Sequence, residues 1–279
     1  MQRKENIRNL LRKPLLFLRD GAQYLFYLRA RPFYRYYFKK HPSFYRMFSP
    51  FTPPPGRGFR QCDRRTVVDT ERKFIFTRLA KVASSALTAT LAPGRGDEEA
   101  YRRYRKKHLR PSGLGIRSAA CARGYFKFVF VRCPYDRVLS AYLHKIGSDE
   151  RKRKSYMKKA PELFRKYGPQ PSFREFCLYL ESGGLYDNKH WIPQRSLMAI
   201  PPSEYDFIGK IENMDEDLKT VSQNISSLEG RRISRSGPYT GASGKLARYY
   251  DKETAAVIRR VYREDFESFG YPGSIEGIE

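Results

Sequence analysis

Acidic side chains are scarce in this chain: 29 Asp and Glu stand against 55 Lys and Arg, a formal net charge of +26 over 279 residues. Such a field draws in nucleic acid, anionic lipid headgroups or acidic polymers without choosing among them. Cysteines are few as well. Cys62, Cys121, Cys133 and Cys177 form no CxxC pair and no Cys/His ligand spacing, so a metal site is not expected and the thiols read as reduced. Long apolar runs are missing: Pro14 to Leu18 is broken by Arg19 and Asp20, well short of the roughly 20 residues that span a bilayer, and it makes no convincing signal-peptide core. No internal repeat, zinc finger, RNP1 stretch or basic-zipper heptad is present, which leaves a nucleic-acid-binding module with only the charge and the interleaved aromatics to support it. A kinase or NTPase phosphate loop is missing too, since no Walker glycine precedes Lys81 and Val82 stands where a hydroxyl would meet Mg²⁺.

Two stretches stand out. In the first, Phe74 to Leu79 is short, apolar and aromatic, as a buried strand is, and from Ser84 an Ala/Leu-rich helix opens on two residues of good capping type. Lys81 and small side chains lie between. A strand turning abruptly into a helix makes an anion site, because free N–H groups and the positive end of the helix dipole face the ligand. An ordinary connection with a solvated lysine gives the same pattern. In the second, the apolar strand Phe126 to Val131 delivers Arg132, Pro134 stops the strand, and Asp136 is placed to cap a helix with Val138, Leu139, Tyr142 and Leu143 on one side. Ser140 lies about a turn into that helix. An arginine fork with a hydroxyl suits a pair of phosphate oxygens. Ligands of open α/β sheets sit beyond the carboxyl ends of the strands, so two such exits side by side describe one site for a multiply phosphorylated ligand.

The segment KVASS (Lys81 to Ser85) resembles the 5′-phosphosulfate loop of sulfotransferases, and RCPYDRVLSAY (Arg132 to Tyr142) resembles their 3′-phosphate motif. HWIPQ (His190 to Gln194), YDFIGKIE (Tyr205 to Glu212) and YREDFESFGY (Tyr262 to Tyr271) are similar to the carbohydrate sulfotransferase branch, in the family's order from about Lys73 to Tyr271. Ala83, Ser84 and Ser85 depart mildly from the glycine and threonines common in that loop. The resemblance implies an α/β, P-loop-like sulfotransferase fold with a central, mainly parallel sheet flanked by helices. It also implies 3′-phosphoadenosine 5′-phosphosulfate (PAPS) as donor, a carbohydrate hydroxyl as acceptor, in-line displacement and no metal. On this reading Lys81 binds the oxygen bridging sulfur and phosphorus, and Val82, Ala83, Ser84 and Ser85 with their backbone N–H groups hold the 5′-phosphate. Arg132 and Ser140 hold the 3′-phosphate, and Arg137 braces the loop.

The base for the acceptor proton is open between His108, which lies between the two phosphate motifs, and His190 in HWIPQ; His41 and His144 are left to structure. Glu212 suits orientation of Arg132, Lys81 or acceptor, and equally a cap or a pair with Lys210. Trp191 suits a sugar-stacking wall or the core. Residues 1–58 form a basic, aromatic-rich helical extension ending in a Pro/Gly linker, carrying fourteen of the Lys and Arg by residue 60 against Glu5 and Asp20 alone. Such a segment lies on an anionic membrane surface or packs on the catalytic domain, residues 59–279. The run Arg151 to Lys154 is a solvated face or a path for an acidic acceptor. Family members in the Golgi carry an N-terminal anchor, so a bacterial-type, cytoplasmic enzyme, peripheral to the inner face of the membrane, is the expectation. The alternatives are a P-loop-like kinase or NTPase and a basic nucleic-acid-binding module.

Overall fold

The computed structural model describes residues 62–92, 99, 104, 110–111, 114, 116–228 and 240–276. The extension over residues 1–58 and His108 lie outside the described residues.

Aromatic and β-branched runs make four short strands: β1 (Thr66–Asp69), β2 (Phe74–Thr77), β3 (Phe126–Val131) and β4 (Phe207–Lys210). They form one sheet in the order β1-β2-β3-β4, with β1 antiparallel to β2 and β2, β3 and β4 parallel. A parallel strand covered on both faces has no polar side to show, which is why FIFT and FVFV read as continuous apolar runs. Each parallel strand is followed by a helix, as a parallel connection requires.

The helices are α1 (Ser84–Leu91), α2 (Ile116–Cys121), α3 (Pro134–Lys145), α4 (Glu150–Met157), α5 (Pro161–Tyr167), α6 (Phe173–Glu181), α7 (Met214–Asn224), α8 (Leu246–Tyr249), α9 (Lys252–Val261) and α10 (Arg263–Phe269). Leu87 and Leu91 of α1 and Leu218 and Val221 of α7 close over Phe76, Phe128 and Phe130 of the sheet. A second core of Val138, Leu139, Phe176, Trp191, Ile258 and Tyr262 joins α3, α6 and α9. In α4, Lys154 pairs in solvent with Glu150 at 2.8 Å.

Three local expectations change. Ser84 is the first helical residue of α1, and the cap is Ala83, in left-handed conformation with no side-chain cap bond. Asp136 lies inside the first turn of α3, which opens at Pro134 because a proline lacks the N–H that a first helical residue leaves unused. The apolar stripe Val257, Ile258, Val261, Tyr262, Phe266 and Phe269 reads in the sequence as one amphipathic helix over residues 252–269, but the helix is broken at Tyr262 (φ −110°, ψ 19°) into α9 and α10. The apolar stripe runs in phase across the break, so its period conceals it.

Candidate active site

Because β2 and β3 are parallel neighbours, their carboxyl ends open on the same edge of the sheet. The chain leaving β2 is gripped there by three guanidinium groups. Arg65 Nη1 donates to the carbonyl of Arg78 at 3.1 Å, Arg137 Nε to that of Ala80 at 3.1 Å, and Arg132 Nη1 to that of Lys81 at 3.4 Å. Lys81 and Ala83 take φ of 68° and 40°, a left-handed region that costs a residue with a Cβ roughly 1–2 kcal/mol. The expected bracing by Arg137 is therefore present, made to a carbonyl. Arg132, expected to serve only a ligand, also pins the loop that carries Lys81.

Lys81 Nζ lies 3.1 Å from His144 Nδ1. Burial lowers the lysine to about 7, and the positive charges of Lys145, Arg132 and Arg137 lower it in the same direction. Val82 is buried in the core, so only its main chain can meet a ligand. Ser84 is half-buried and Ser85 exposed in the first turn of α1.

Arg132 is held by its backbone as well. Its N–H donates to Gln194 Oε1 at 3.0 Å, and its carbonyl accepts from Gln194 Nε2 at 2.9 Å. Its guanidinium reaches Ser243 Oγ at 3.3 Å and Asp136 at 3.6 Å. Ser140, on the inner face of α3, hydrogen-bonds Thr240 Oγ1 at 3.0 Å. Arg137 is fully buried and its Nη1 and Nη2 have no hydrogen-bond partner. Burial lowers its pKa, while Tyr262 and Asp265 act in the opposite direction. Asp265, equally buried, accepts from the N–H groups of Gln194 (2.7 Å) and Arg195 (3.0 Å).

Glu212 orients neither Arg132 nor Lys81 and does not pair with Lys210. Its carboxylate accepts from the N–H of Cys133 at 2.8 Å and from Tyr271 OH at 2.9 Å, so it caps the start of α3, where the helix dipole favours an anion. Trp191 is no sugar wall: it is fully buried and its indole N–H donates to the Gly184 carbonyl at 2.9 Å. The neighbouring His190 is half-buried, its ring 6.0 Å from the Tyr156 ring, and its buried Nδ1 has no hydrogen-bond partner. Burial lowers His190 to about 2, with Lys145, Lys189, Lys81 and Arg65 as further positive neighbours. His190 is thus neutral and within the electrostatic field of Lys81.

The fold brings together Lys81, Ser84, Arg132, Ser140 and His190 of the expected set, on one edge of the sheet. Sequence reasoning missed His144, Gln194, Thr240 and Ser243. For His144 a signal existed, since it follows Ser140 by four residues and shares its helix face. Gln194 was visible only as the end of HWIPQ, and Thr240 and Ser243 sit in a Gly/Ser-rich stretch with no period.

Residues 64–272 match the sulfotransferase family. Carbohydrate sulfotransferase 14 of Danio rerio is 31% identical over 167 residues, covering 54% of this chain and 45% of that protein. Carbohydrate sulfotransferase 14 of Mus musculus is 32% identical over 179 residues, covering 59% and 46% respectively. Carbohydrate sulfotransferase 11 of Danio rerio is 26% identical over 167 residues, covering 53% and 47%. The chain spans about half the length of the curated relatives it matches. No solved structure matches it. The family match takes in all four strands together with Lys81, Arg132, Ser140 and Gln194, and on that ground the chain belongs to the sulfotransferase family.

Proposed function

We propose that this protein transfers a sulfuryl group from PAPS to a hydroxyl of a carbohydrate, polysaccharide or glycan, by in-line displacement. The observation that carries the reading is the contact between the two strand exits, where the Arg132 guanidinium bonds the Lys81 carbonyl at 3.4 Å. A donor with phosphate at both ends of an adenosine needs two cationic grips a short way apart, and this edge supplies them. The names of the relatives support the carbohydrate acceptor. Family membership together with the missing Walker pattern favours this reading over a nucleotide kinase, and over a nucleic-acid-binding module.

The chemistry asks little covalent work of the protein. Negative charge grows on the oxygen between sulfur and phosphorus as that bond breaks, and a fixed ammonium in a partly dry site stabilises it far better than water does. Lys81 takes that part. The backbone N–H groups at the start of α1, with Ser84 and Ser85, hold the 5′-phosphate; Arg132 and Ser140 hold the 3′-phosphate. The candidates for the acceptor proton remain His108 and His190; burial makes His190 a weak base, and the negative charge of a bound donor is what raises its basicity.

Incubation of the purified chain with labelled PAPS and a panel of neutral and acidic glycans tests the reading, with Lys81→Ala as the blank. Transfer to at least one glycan is expected, falling by about 10²–10³ in the variant. In the same preparation 3′,5′-ADP raises the melting temperature more than ATP does, since only the former presents a 3′-phosphate. Equal shifts, with no transfer to any glycan, end the proposal.

A further inference from the structure

The transfer chemistry above gives no part to His144, although no other side-chain hydrogen-bond partner of the Lys81 ammonium is seen among the described residues. His144 stands in the last turn of α3, one turn beyond Ser140. Its Nδ1 is 3.1 Å from Lys81 Nζ and its Nε2 is 3.5 Å from Lys145 Nζ, while the Lys145 ammonium sits 5.2 Å from the centre of the Tyr156 ring. An ammonium has donors and no lone pair, so a charged Lys81 can only donate into Nδ1; the ring hydrogen then belongs on Nε2, and the 3.5 Å approach of the Lys145 ammonium there is a contact without a hydrogen bond. The root of the lysine is fixed independently. Its backbone is held at φ 68° and its carbonyl is bonded by Arg132. Only the four-carbon stem is left to swing, and its rotamer freedom is what must be given up for the ammonium to be fixed.

We propose that His144 is a positioning residue for Lys81: its Nδ1 holds the tip of the ammonium in place, so that the remaining N–H hydrogens are aimed at the bridging oxygen of the phosphosulfate donor. The inference rests on the sulfuryl-transfer reading and adds a residue to that site. The hydrogen bond has a second effect, because an acceptor facing the ammonium favours its charged form. Among the described residues the charged neighbours of Lys81 act the opposite way: Lys145 and Arg137 from α3 and Arg132 from the exit of β3, with the neutral His190 in the loop before Gln194. Without the imidazole acceptor, less of Lys81 is charged at neutral pH, and the charged fraction swings more freely.

A pair of substitutions separates positioning from proton transfer. Asparagine places its Oδ1 close to where the imidazole holds Nδ1, and it accepts a hydrogen bond without titrating; leucine fills similar space and accepts nothing. The rates kcat and kcat/KM for PAPS are measured from pH 6 to 9 for the wild type, H144N and H144L, together with the shift in melting temperature caused by 3′,5′-ADP. Expected for H144L is a loss of kcat of about ten- to a hundredfold with little change in KM, and an alkaline limb displaced to lower pH. H144N recovers most of the loss and returns the limb toward its wild-type position. Should leucine prevent folding, H144Q gives the same contrast, because its oxygen falls near Nε2 and misses Lys81.

Two results overturn the inference while leaving the sulfuryl-transfer reading intact: an active wild type whose H144N and H144L variants both match it, or one whose variants lose activity equally, which makes the ring a titrating base. A wild type that neither transfers sulfuryl nor is stabilised by 3′,5′-ADP overturns the underlying reading, and this inference with it.

Discussion

A cation buried among other cations is a poor cation, and at the residue scale that is the condition of Lys81 before a ligand arrives. Its pKa stands near 7 for want of water and because Lys145, Arg132 and Arg137 face it. A bound anion reverses the balance. Binding of 3′,5′-ADP should therefore take up protons above pH 7, with affinity falling as pH rises from 7 to 9; calorimetry in two buffers of different ionisation enthalpy reads this directly, and pH-independent affinity would contradict it. His190 gives a prediction about the protein itself. Its folded pKa, about 2, lies below the ordinary 6.5, so between those values the unfolded chain holds the extra proton. Stability then rises with pH across that window and drains away as pH falls below 6.5. H190Q keeps the bulk and removes the titration, so the gap between its urea midpoints at pH 5 and pH 7.5 should be narrower than the wild type's.

At the scale of elements, α3 is the member that carries the site. Arg137, Ser140 and His144 occur at spacings of three and four along it, and so project from one side toward the exits of β2 and β3. Its start is fixed by Pro134 and by the Glu212 carboxylate, and the buried Asp265 delivered from α10 holds the Gln194 backbone and acts on Arg137 as a negative charge. That delivery explains the break at Tyr262. A continuous helix would leave no turn in which the Asp265 N–H could bond the Tyr262 carbonyl, at 2.8 Å, while its carboxylate reaches Gln194. Asp265→Ala strips the buried Gln194 N–H and the part-buried Arg195 N–H of their acceptor and leaves Arg137 without its counter-charge, so a loss of about 3–5 kcal/mol in a denaturant titration is expected. Ser172→Ala is a contrast in kind. It removes one half of the capping box of α6, which costs about 1 kcal/mol, and it should leave kcat for sulfuryl transfer as it was.

At the scale of the molecule, the charges of the described residues divide by burial. Pairs such as Lys154–Glu150, Arg174–Glu253 and Lys219–Glu216 lie in solvent and add little to stability. The half-buried and buried cations Arg65, Lys81, Arg132 and Arg137 instead converge on one edge of the sheet. Fields from exposed charges are screened beyond about 8 Å in physiological salt, whereas partly buried ones are screened much less. With an acidic glycan as acceptor, KM should therefore rise steeply with added salt while kcat changes little, and with a neutral glycan both should stay nearly flat. A kcat that falls in step with salt would place the screened charges in the transfer step itself.

The residues themselves determined everything that depends on near neighbours. The apolar runs at Phe74 and Phe126 dictate strands buried on both faces, and the paired motifs KVASS and RCPYDRVLS mark two strand exits suited to phosphate. Local chemistry misjudged the caps, because a serine or aspartate in the right place is only one way to start a helix; here a left-handed Ala83 and a proline do it. The partners that make the site work belong to tertiary structure alone. His144 lies 63 residues from Lys81, Gln194 lies 62 from Arg132, and Ser243 lies 111 from Arg132. No period or propensity links residues so far apart. They meet because β2 and β3 pair in parallel and carry their exits to the same edge, and because burial there leaves each cation to find its acceptor across the fold.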